Sequence, residues 1–407
     1  MAGMSLTHGS LDSYVSKAND VIYFKMIREE KDLEDGTLCF NPEFSHQFFG
    51  DSEGIFGYTG LRVNMYYSAS RLNIYFSMTY TDKADPKKTG GIQPDNVQKI
   101  IEEKLEVKFG TNIDDFSSAL SKEASFRPHG KLIQSFSVDG DSNSRQTFDV
   151  HRSDATIPGF VEYHQKMQTF VLWFIDAASF IDVDDERWEY FTIFERVVLN
   201  GDTFYYFVGY ATVYRYYAYP TKVRPRISQM FILPTFQKKG LGAKMLQAMY
   251  NWYICDTEVL DITVEDPSEN FVRLRDFVDC KNCLQLPSFR REELAKGFSE
   301  AMFREAQEKF KIGKKQARRV FEILRLRITN TFDDDEYRAY RLDVKNRLNA
   351  PFQRQKLDLE KLQKTLSADE LKATLNYSNK EQRMEQLEHL YKDLEAEYKQ
   401  VIERLSS

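Results

Sequence analysis

The sequence has few of the residues and runs that mark disordered, membrane-spanning or secreted proteins. Its 407 residues include only 19 glycines and 11 prolines, whereas 42% are hydrophobic and 14% aromatic, which excludes wholesale disorder. No uninterrupted apolar run approaches the roughly 18 residues of a membrane-spanning helix, and the best candidate, residues 170–175, stops at Asp176. Residues 1–20 lack a basic segment followed by an apolar one, so we expect no signal peptide and no membrane partner.

Cysteine and histidine are also sparse. The four cysteines are scattered, so we expect reduced thiols in an intracellular protein. Cys280 and Cys283 form a CxxC pair without a second pair or a neighbouring histidine, which favours a structural role over a zinc or redox site. The six histidines are dispersed and suggest no metal: His8, His46, His129, His151, His164 and His389.

Neither sign of charge dominates. Lys and Arg number 56 against 62 Asp and Glu, a formal net charge of −6. A mildly acidic chain is a poor candidate for tracking a phosphate backbone, so we expect no direct contact with nucleic acid. The same balance suits an enzyme with a basic peptide substrate or an ordinary cytosolic enzyme.

Two segments have the period-two alternation of antiparallel hairpins. Residues 61–67 and 72–80 alternate apolar and polar side chains on either side of a short polar turn. Residues 188–199 and 203–217 are aromatic and β-branched and flank Asn200-Gly201, a strong hairpin signal. We therefore predict two hairpins.

Strands and helices then alternate along the chain. Apolar spacing predicts helices over 97–105, 160–174 and 240–253. Short apolar runs predict strands over 223–233 and 259–264. The middle of the chain thus reads as a hairpin followed by a strand, a glycine-containing loop, a helix and a further strand.

The last third is helical in pattern. Helical apolar spacing covers 291–310 and 314–326, and residues 384–405 carry an apolar seam with steps of three and four. Residues 367–370 form a capping box, with Leu366 and Leu371 as its hydrophobic staple. Whether the seam packs on this chain or another is open. The basic run 311–319 could be a nuclear import signal, but its apolar spacing favours an amphipathic helix.

These patterns predict a mixed α/β (α+β) fold with four parts. They are an N-terminal mixed α/β domain at 1–125, a core at 126–279, a C-terminal helical domain at 280–350 and a helical heptad tail at 351–407.

The most informative motif lies between a predicted strand and the helix that follows it. Gln237, Gly240 and Gly242 are spaced Gln-x-x-Gly-x-Gly. Glycines let a backbone approach a ligand closely, and the amides at a helix N-terminus attract anions. This loop is therefore suited to a pyrophosphate, although it is neither a Walker loop nor a dinucleotide-binding GxGxxG loop.

The loop resembles the acetyl-CoA loop of the Gcn5-related N-acetyltransferase superfamily. Longer strings resemble one branch of it, the type B histone acetyltransferase catalytic subunits, at 178–188, 213–217, 260–267, 273–277 and 317–324. The similarity covers roughly residues 40–329. It implies an acetyltransferase core between an N-terminal mixed domain and a C-terminal helical region.

The resemblance also implies a reaction and its participants. The family transfers acetyl from acetyl-CoA to lysines in the tail of free, newly synthesised histone 4, without a metal. It works with a WD-repeat histone-binding protein, in the nucleus and the cytoplasm. By the same resemblance, the backbone and neighbouring side chains that would hold the cosubstrate are Met230, Phe231, Ile232, Gln237, Lys238, Lys239, Gly240, Leu241, Gly242, Ala243 and Asn270. An ordinary loop position is the alternative for Asn270.

A carboxylate is needed because the amine of lysine is protonated at neutral pH and cannot attack a thioester. By the resemblance the general base is Glu265, which we expect to be partly buried after a strand; a solvated acid at the end of the strand is the alternative. Asp266 would support it electrostatically or cap a turn. Asp176 interrupts an apolar helix face, where the family can place Glu, and would be a supporting acid or a helix-end acceptor. A strand amide near Ile232 would stabilise the negative charge that develops on the thioester oxygen.

A lysine-bearing tail needs acidic and aromatic contacts. The resemblance places substrate contacts at three points, comprising Asp51, Ser52, Glu53, Trp188, Tyr214, Arg215 and Tyr216. The family commonly has a second acid where Ser52 stands. The alternatives are core packing for the aromatic residues and a solvated loop for the acids.

Two other functions fit the same residues. One is acetylation of small amines, which would require a closed pocket instead of a peptide groove. The other is a non-catalytic histone-binding escort that keeps the acetyltransferase core, against which Gly240, Gly242 and Glu265 argue.

Overall fold

The computed structural model describes residues 11–139, 145–362 and 380–406. The predicted capping box at 367–370 lies outside these ranges. The chain forms two compact units, the first from the described parts of Met1–Tyr217 and Pro225–Trp252, the second from Ala218–Arg224 and Tyr253–Ser407. The four sequence-based parts stay a prediction.

Strands and helices occur throughout the described chain. The strands are β1 (Val15–Lys17), β2 (Ile22–Ile27), β3 (Gly54–Phe56), β4 (Tyr58–Thr59), β5 (Arg62–Ser68), β6 (Ile74–Thr79), β7 (Asp82–Lys83), β8 (Lys131–Asp139), β9 (Arg145–Ser153), β10 (Trp188–Leu199), β11 (Asp202–Ala218), β12 (Lys222–Ile232) and β13 (Thr263–Val264). The α-helices are α1 (Ala18–Val21), α2 (His46–Phe49), α3 (Val97–Leu105), α4 (Ile113–Leu120), α5 (Phe160–Met167), α6 (Val171–Phe174), α7 (Leu241–Ile254), α8 (Glu269–Cys283), α9 (Arg291–Lys296), α10 (Glu300–Phe310), α11 (Lys314–Ile328), α12 (Asp334–Leu362) and α13 (Lys380–Ser406).

The N-terminal part of the first unit is built on a three-stranded sheet in the order β2-β5-β6. Strands β5 and β6 are antiparallel, which confirms the first predicted hairpin, and β2 runs parallel to β5. Leu72, in the turn between β5 and β6, has a φ of +55°. The sheet buries Val63 and Met65 completely, and the intervening Asn64 and Tyr66 on the other face are also buried, so burial along β5 does not follow the alternation in the sequence.

Strands β8 to β12 of the larger sheet lie side by side in chain order. Strands β10 and β11 form the second predicted hairpin. Asn200 and Gly201 make its turn with φ values of +53° and +90°, as a two-residue hairpin turn requires. The pairing shifts between Ile193 and Phe194, which marks a β-bulge.

Gly209 permits a close approach between β11 and β12. A Cβ atom at this position would lie 2.2 Å from the carbonyl oxygen of Phe231. Leu233, just after β12, donates its amide to the carbonyl of Val208 at 2.9 Å. The two strands are therefore packed backbone against backbone at the end of β12.

An aromatic core joins the three-stranded sheet to the larger sheet through α6 and the turn before it, where Phe170 lies 6.3 Å from Phe24 of β2. Phe170 stacks on Phe207 and Phe231 at centroid distances of 6.0 and 5.5 Å. Trp173 is completely buried and stacks on Phe48 at 3.7 Å. Rings of this size contribute much of the burial that stabilises a domain.

The second unit is mainly helical, and its C-terminal helix packs on the same chain. The side chains of Tyr391, Tyr398 and Val401 in α13 are buried in a core formed with other helices of this unit. The C-terminal part of the predicted apolar seam thus packs within the chain, whereas Met384 at its start is 63% exposed. Arg319 of α11 connects α8 and α13, since it forms ion pairs with Asp276 at 2.7 Å and Glu397 at 2.8 Å.

Two sequence predictions for the second unit were wrong in extent. The helix predicted over 291–310 breaks at Gly297, whose φ of +106° is incompatible with a helix. The strand predicted over 259–264 is reduced to β13, while Val259 forms a single bridge with Val223. In the ranges the structure describes, no helix has both the length and the apolarity to span a membrane.

Candidate active site

A glycine turn connects β12 to α7 in the first unit. Gly240 has a φ of +77°, and no atom lies within 4 Å of the place where its Cβ would be. Helix α7 starts at Leu241, so the amides of its first turn have no partner within the helix. An open glycine followed by unpaired amides at the positive end of a helix dipole fits a pyrophosphate. The predicted cosubstrate loop has the geometry such a ligand needs.

The turn is held by its own residues. Gln237 donates its side-chain amide to the carbonyl of Ile232 at 3.0 Å, and its backbone amide to Pro234 at 3.2 Å. Gln237 therefore fixes the shape of the loop between the strand and the helix. Lys238 adopts a φ of +60° and is exposed, as is Lys239. Both lysines are accessible to the charge of a phosphate.

Strand β12 presents its two faces differently. Phe231 is 4% exposed and packs on Phe174 at a centroid distance of 5.1 Å. Met230 and Ile232 point to the opposite face and are half-buried. Phe231 can thus meet a cosubstrate only through its backbone, whereas the other two residues can also offer side chains.

Asp176 follows a helix instead of interrupting one. Helix α6 ends at Phe174 because Ile175 takes up an extended conformation, and Ala177 turns the chain with a φ of +52°. The sequence-based placement of Asp176 on a helix face was therefore wrong. Its carboxylate is exposed and lies 3.5 Å from Nε2 of His46.

The N-terminal residues around His46 clamp this turn. The amides of Glu43 and Phe44 both donate to the carbonyl of Trp173 at 3.0 Å. Gln47 donates to the carbonyl of Ala178 at 3.1 Å. The turn that carries Asp176 is thus braced on both sides by residues 43–48.

Three of the predicted substrate-binding residues form one aromatic cluster. Trp188 and Tyr214 face each other across β10 and β11, with ring centroids 4.9 Å apart. Tyr216 lies 4.6 Å from Tyr214 and is 39% exposed. Arg215, between them in sequence, contacts Glu189 at 3.6 Å. The cluster is a partly open aromatic surface, not a closed core.

An acidic residue that the sequence reasoning missed adjoins this cluster. Asp185 accepts a hydrogen bond from the Tyr214 hydroxyl at 2.8 Å and pairs with Arg187 at 2.8 Å. Hydrogen bonds from Arg187 and Tyr214 hold the pKa of the Asp185 carboxyl well below its usual range. Asp185 lies in the string 178–188 that resembles the family, but its contact with Tyr214 of β11 could not be predicted from the sequence.

The predicted contacts at 51–53 have different environments. Asp51 and Ser52 are exposed. Glu53 accepts hydrogen bonds from the Ser45 amide at 2.8 Å and from Asn19 at 2.9 Å. Burial raises the pKa of Glu53, but these hydrogen bonds together lower it by more, so the pKa of Glu53 is below its usual value. Glu53 thus holds its own loop together.

The predicted acids of the second unit follow β13. Glu265 and Asp266 are both exposed, so the expected partial burial of Glu265 is not found. Asp266 has a φ of +29° at the turn. Asn270 accepts a hydrogen bond from Arg273 at 2.6 Å in the first turn of α8. Ser268 caps this helix, which is the role considered for Asp266.

The CxxC pair is buried in the second unit. Cys280 and Cys283 are free thiols, and burial raises the pKa of both well above the usual value. A buried neutral thiol acts as a small apolar side chain. Within the described ranges there is no cluster of three or more His, Cys, Asp or Glu suited to a metal ion.

Comparison with protein families assigns three successive regions. Residues 14–176 match the family "Histone acetyl transferase HAT1 N-terminus". Residues 147–274 match the "Acetyltransferase (GNAT) family" and residues 275–326 match "Histone acetyltransferase type B catalytic subunit, C-terminal". These matches confirm the predicted fold class, an acetyltransferase core between a mixed N-terminal part and a helical C-terminal part.

Individual relatives extend over almost the whole chain. The histone acetyltransferase type B catalytic subunits of Rattus norvegicus and Homo sapiens are each 45% identical over 403 residues, covering 99% of this chain and 96% of theirs. A protein of the same description from Dictyostelium discoideum is 32% identical and covers 79% of this chain and 70% of its own.

The enzyme class and the cosubstrate follow from these matches. The GNAT family to which the core belongs uses acetyl-CoA. The chain is an acetyltransferase. With matches that run from residue 14 to residue 326 and relatives that align along nearly its full length, it belongs to the family of histone acetyltransferase type B catalytic subunits.

Proposed function

We propose that this chain acetylates lysine side chains in the N-terminal tail of free, newly synthesised histone 4, with Glu265 as general base. The observation that carries the proposal is the 45% identity to type B catalytic subunits over 99% of the chain. The partly open aromatic cluster beside Asp185 supports a peptide substrate, because it offers flat surfaces next to an acid.

Glu265 would accept a proton from the ammonium group of the incoming lysine. Its exposure leaves the carboxylate accessible to that group. Removal of the proton frees the nitrogen lone pair for attack. Asp266, the adjacent acid, would add negative charge that favours the approach of a cation.

Acetyl-CoA supplies an acetyl group activated as a thioester. The amides of 240–243 and the side chains of Lys238 and Lys239 would hold its pyrophosphate, and the backbone of Met230–Ile232 would align its pantetheine arm. An amide near Ile232 would donate to the thioester oxygen as negative charge develops there. Asn270 would contribute at the edge of the cosubstrate site.

The substrate tail would lie along Trp188, Tyr214 and Tyr216, where aliphatic lysine stems can pack on aromatic rings. Asp185 would attract the basic groups of the tail, together with the exposed acid Asp51. Asp176 would supply a further charge. The side chain of Asp176 is one methylene shorter than the Glu that the family can place here. We propose that the pairing of Asp176 with His46 fixes the position of its carboxylate.

A WD-repeat histone-binding protein is the proposed partner, and the nucleus and cytoplasm are the proposed locations. Both rest on the family resemblance. Co-purification of the full chain with such a protein, and imaging of a tagged full chain, would check them. Arg318 and Arg319 form ion pairs with Glu322 and Asp276, which supports the helix interpretation of 311–319 over an import signal.

The first test changes the proposed base. We expect Glu265→Gln to reduce kcat at neutral pH by about 10²–10⁴-fold, the usual contribution of a general base. Calorimetric titration should find unchanged affinity for acetyl-CoA, since Glu265 is not in the glycine turn. Normal turnover in this variant would contradict the assignment of Glu265 as general base. Glu269→Gln, at another exposed glutamate, is the matched control and should keep normal turnover.

The second test separates the three candidate functions. The full chain is incubated with acetyl-CoA and either a histone 4 tail peptide or a set of small amines. We expect acetylation of the peptide at much lower substrate concentration than of any small amine. Acetylation of small amines alone would indicate the small-amine enzyme, and peptide binding without turnover would indicate the escort.

A further inference from the structure

We infer that the first unit has a second ligand site, separate from the glycine turn, which binds a small phosphate-bearing anion. The site is a cavity of about 530 Å³ beside α5. Its polar lining includes Arg71, Lys122, Arg127, His129, Glu162 and Lys166. None of these residues belongs to the proposed active site.

Within the described part of the chain, the cations of this cavity are not engaged in direct ion pairs. Within the described ranges, neither arginine and neither lysine among them forms a salt bridge with a carboxylate. Other arginines of the same unit form such salt bridges, for example Arg28 with Glu195 at 2.5 Å and Arg152 with Glu189 at 2.6 Å. Four unpaired cations around one cavity are unusual on a chain with a net charge of −6.

The cations are held in place by neutral groups. Lys166 Nζ donates to the carbonyl of Arg71 at 3.1 Å and to Asn73 Oδ1 at 2.8 Å. Arg71 donates to the carbonyl of Lys122 at 3.1 Å and to the Ser125 hydroxyl at 2.9 Å. These bonds fix the positive groups without neutralising them, which is the preorganisation that an anion site needs.

Arg127 is fixed in the same way. Its Nη1 donates to the carbonyls of Ala124 at 2.8 Å and Phe126 at 2.6 Å. A guanidinium held by one nitrogen still has donors that can bind a phosphate oxygen. Lys122 is exposed at the rim and is the most adaptable of the four.

One carboxylate lines the cavity and a second is buried behind it, so the four cations leave a positive balance. Glu162 lines it. Glu123 lies behind it, 1% exposed, and accepts the backbone amides of Ser70 at 2.6 Å and Arg71 at 3.2 Å. Burial lowers the pKa of Lys166, Glu123 opposes this effect and Arg71 adds to it. A bound anion would relieve the repulsion among these cations.

The size and shape of the cavity select the kind of anion. Pockets of roughly 300–1,000 Å³ are typical of small-molecule sites. Phe126 and Tyr163, whose rings lie 5.2 Å apart, give the cavity apolar walls. Several cations within one such space suit a ligand with more than one negative charge, which is the chemistry of a polyphosphate or of a phosphorylated metabolite.

Calorimetric titration of the full chain with inorganic tripolyphosphate tests this inference. Saturating coenzyme A is present throughout, so that the glycine turn is blocked, and ionic strength is held constant. We expect one tripolyphosphate to bind per chain. Absence of tripolyphosphate binding in the presence of coenzyme A would overturn the inference.

A pair of charge reversals assigns the binding to the cavity. Lys122→Glu should weaken tripolyphosphate binding at least about tenfold, since it replaces an attraction by a repulsion. Lys104→Glu, an equal change of charge at an exposed lysine of α3, should leave it unchanged. Thermal unfolding verifies that both variants fold. Equal losses in the two variants, or binding of an oligoglutamate peptide with none of tripolyphosphate, would contradict the assignment.

Discussion

Gly240 combines open space with a backbone conformation that other residues avoid. Its φ of +77° is in the left-handed region, where an alanine costs roughly 1 kcal/mol or more. A Cβ here would meet no protein atom within 4 Å and would therefore project into the space proposed for the pyrophosphate.

We expect Gly240→Ala to raise the Kd for acetyl-CoA about tenfold, by strain and by obstruction of the ligand. Gly90→Ala is the matched control, because Gly90 has a φ of +70° and equally open surroundings. Both variants should lose similar stability, but only the first should lose affinity in a calorimetric titration. Unchanged affinity in Gly240→Ala would argue against the glycine turn as the cosubstrate site.

His164 is a buried titratable group of the first unit. It is 0% exposed, contacts Tyr190 at a ring distance of 4.7 Å, and neither ring nitrogen has a hydrogen-bond partner within the described residues. Burial lowers its pKa from 6.5 to about 4. The unfolded chain therefore binds a proton between these two values that the folded chain does not bind.

Folding stability should consequently fall as the pH decreases. The contribution of neutral His164 is fully present above about pH 6.5, decreases below that value and is lost by about pH 4, with a total of about 3 kcal/mol. We expect His164→Phe to flatten the pH dependence of urea unfolding between these values. An unchanged pH dependence in this variant would show that His164 does not titrate on unfolding.

Single residues of the site differ in how far the sequence could reveal them. The glycine turn was predictable because its Gln, its two glycines and the following helix are local in sequence. The contact of His46 with Asp176 and that of Asp185 with Tyr214 were not, because each joins residues distant along the chain. Only the folded packing of several elements brings these pairs together.

Among the elements, hairpins were predicted best and breaks worst. The pattern over 188–217 fixed β10, β11 and their turn, because alternation and Asn-Gly act within a few residues. The break at Gly297 was missed, since an isolated glycine is tolerated in many helices. The run 259–264 was predicted as a strand from its apolar content, but only Thr263 and Val264 form a strand, while Val259 and Ile262 make single bridges.

The helices of the second unit are joined by a buried charge at Glu322. Its carboxylate is 0% exposed and accepts from Arg318 at 2.9 Å, Arg347 at 2.6 Å and the Tyr398 hydroxyl at 2.9 Å. One carboxylate of α11 thus connects α12 and α13.

We expect Glu322→Gln to lower the free energy of unfolding by about 1–3 kcal/mol, because it removes the buried charge shared by two half-buried arginines, of which Arg318 keeps a second partner in Asp343. Glu308→Gln, at a carboxylate that is 74% exposed and pairs with Lys309, should change it by less than about 0.5 kcal/mol. Urea unfolding followed by circular dichroism measures both. Equal stability of the two variants would show that the network contributes little.

At the scale of the whole molecule, the acidic balance complements a basic substrate. Exposed charges attract an oppositely charged peptide over a distance that shrinks from about 14 Å to about 6 Å as salt rises from about 50 to about 300 mM. Steering of a histone tail toward a chain of net charge −6 should weaken accordingly.

We expect kcat/KM for a histone 4 tail peptide to fall about three- to tenfold over this range of salt. A peptide whose basic residues, other than the acceptor lysine, are replaced by glutamine should change by less than about twofold. Steady-state kinetics with both peptides measures the difference. Parallel salt curves would mean that long-range charge does not guide the substrate.

Gly209 shows how a position remote from any ligand can be as constrained as the active site. Any side chain there would collide with the carbonyl of Phe231 and push β12 away from β11, displacing the strand that is proposed to align the acetyl donor. Saturation mutagenesis at position 209, scored by acetyltransferase activity, should therefore find that every substitution reduces activity, although the new side chains would lie between two strands and not at a ligand.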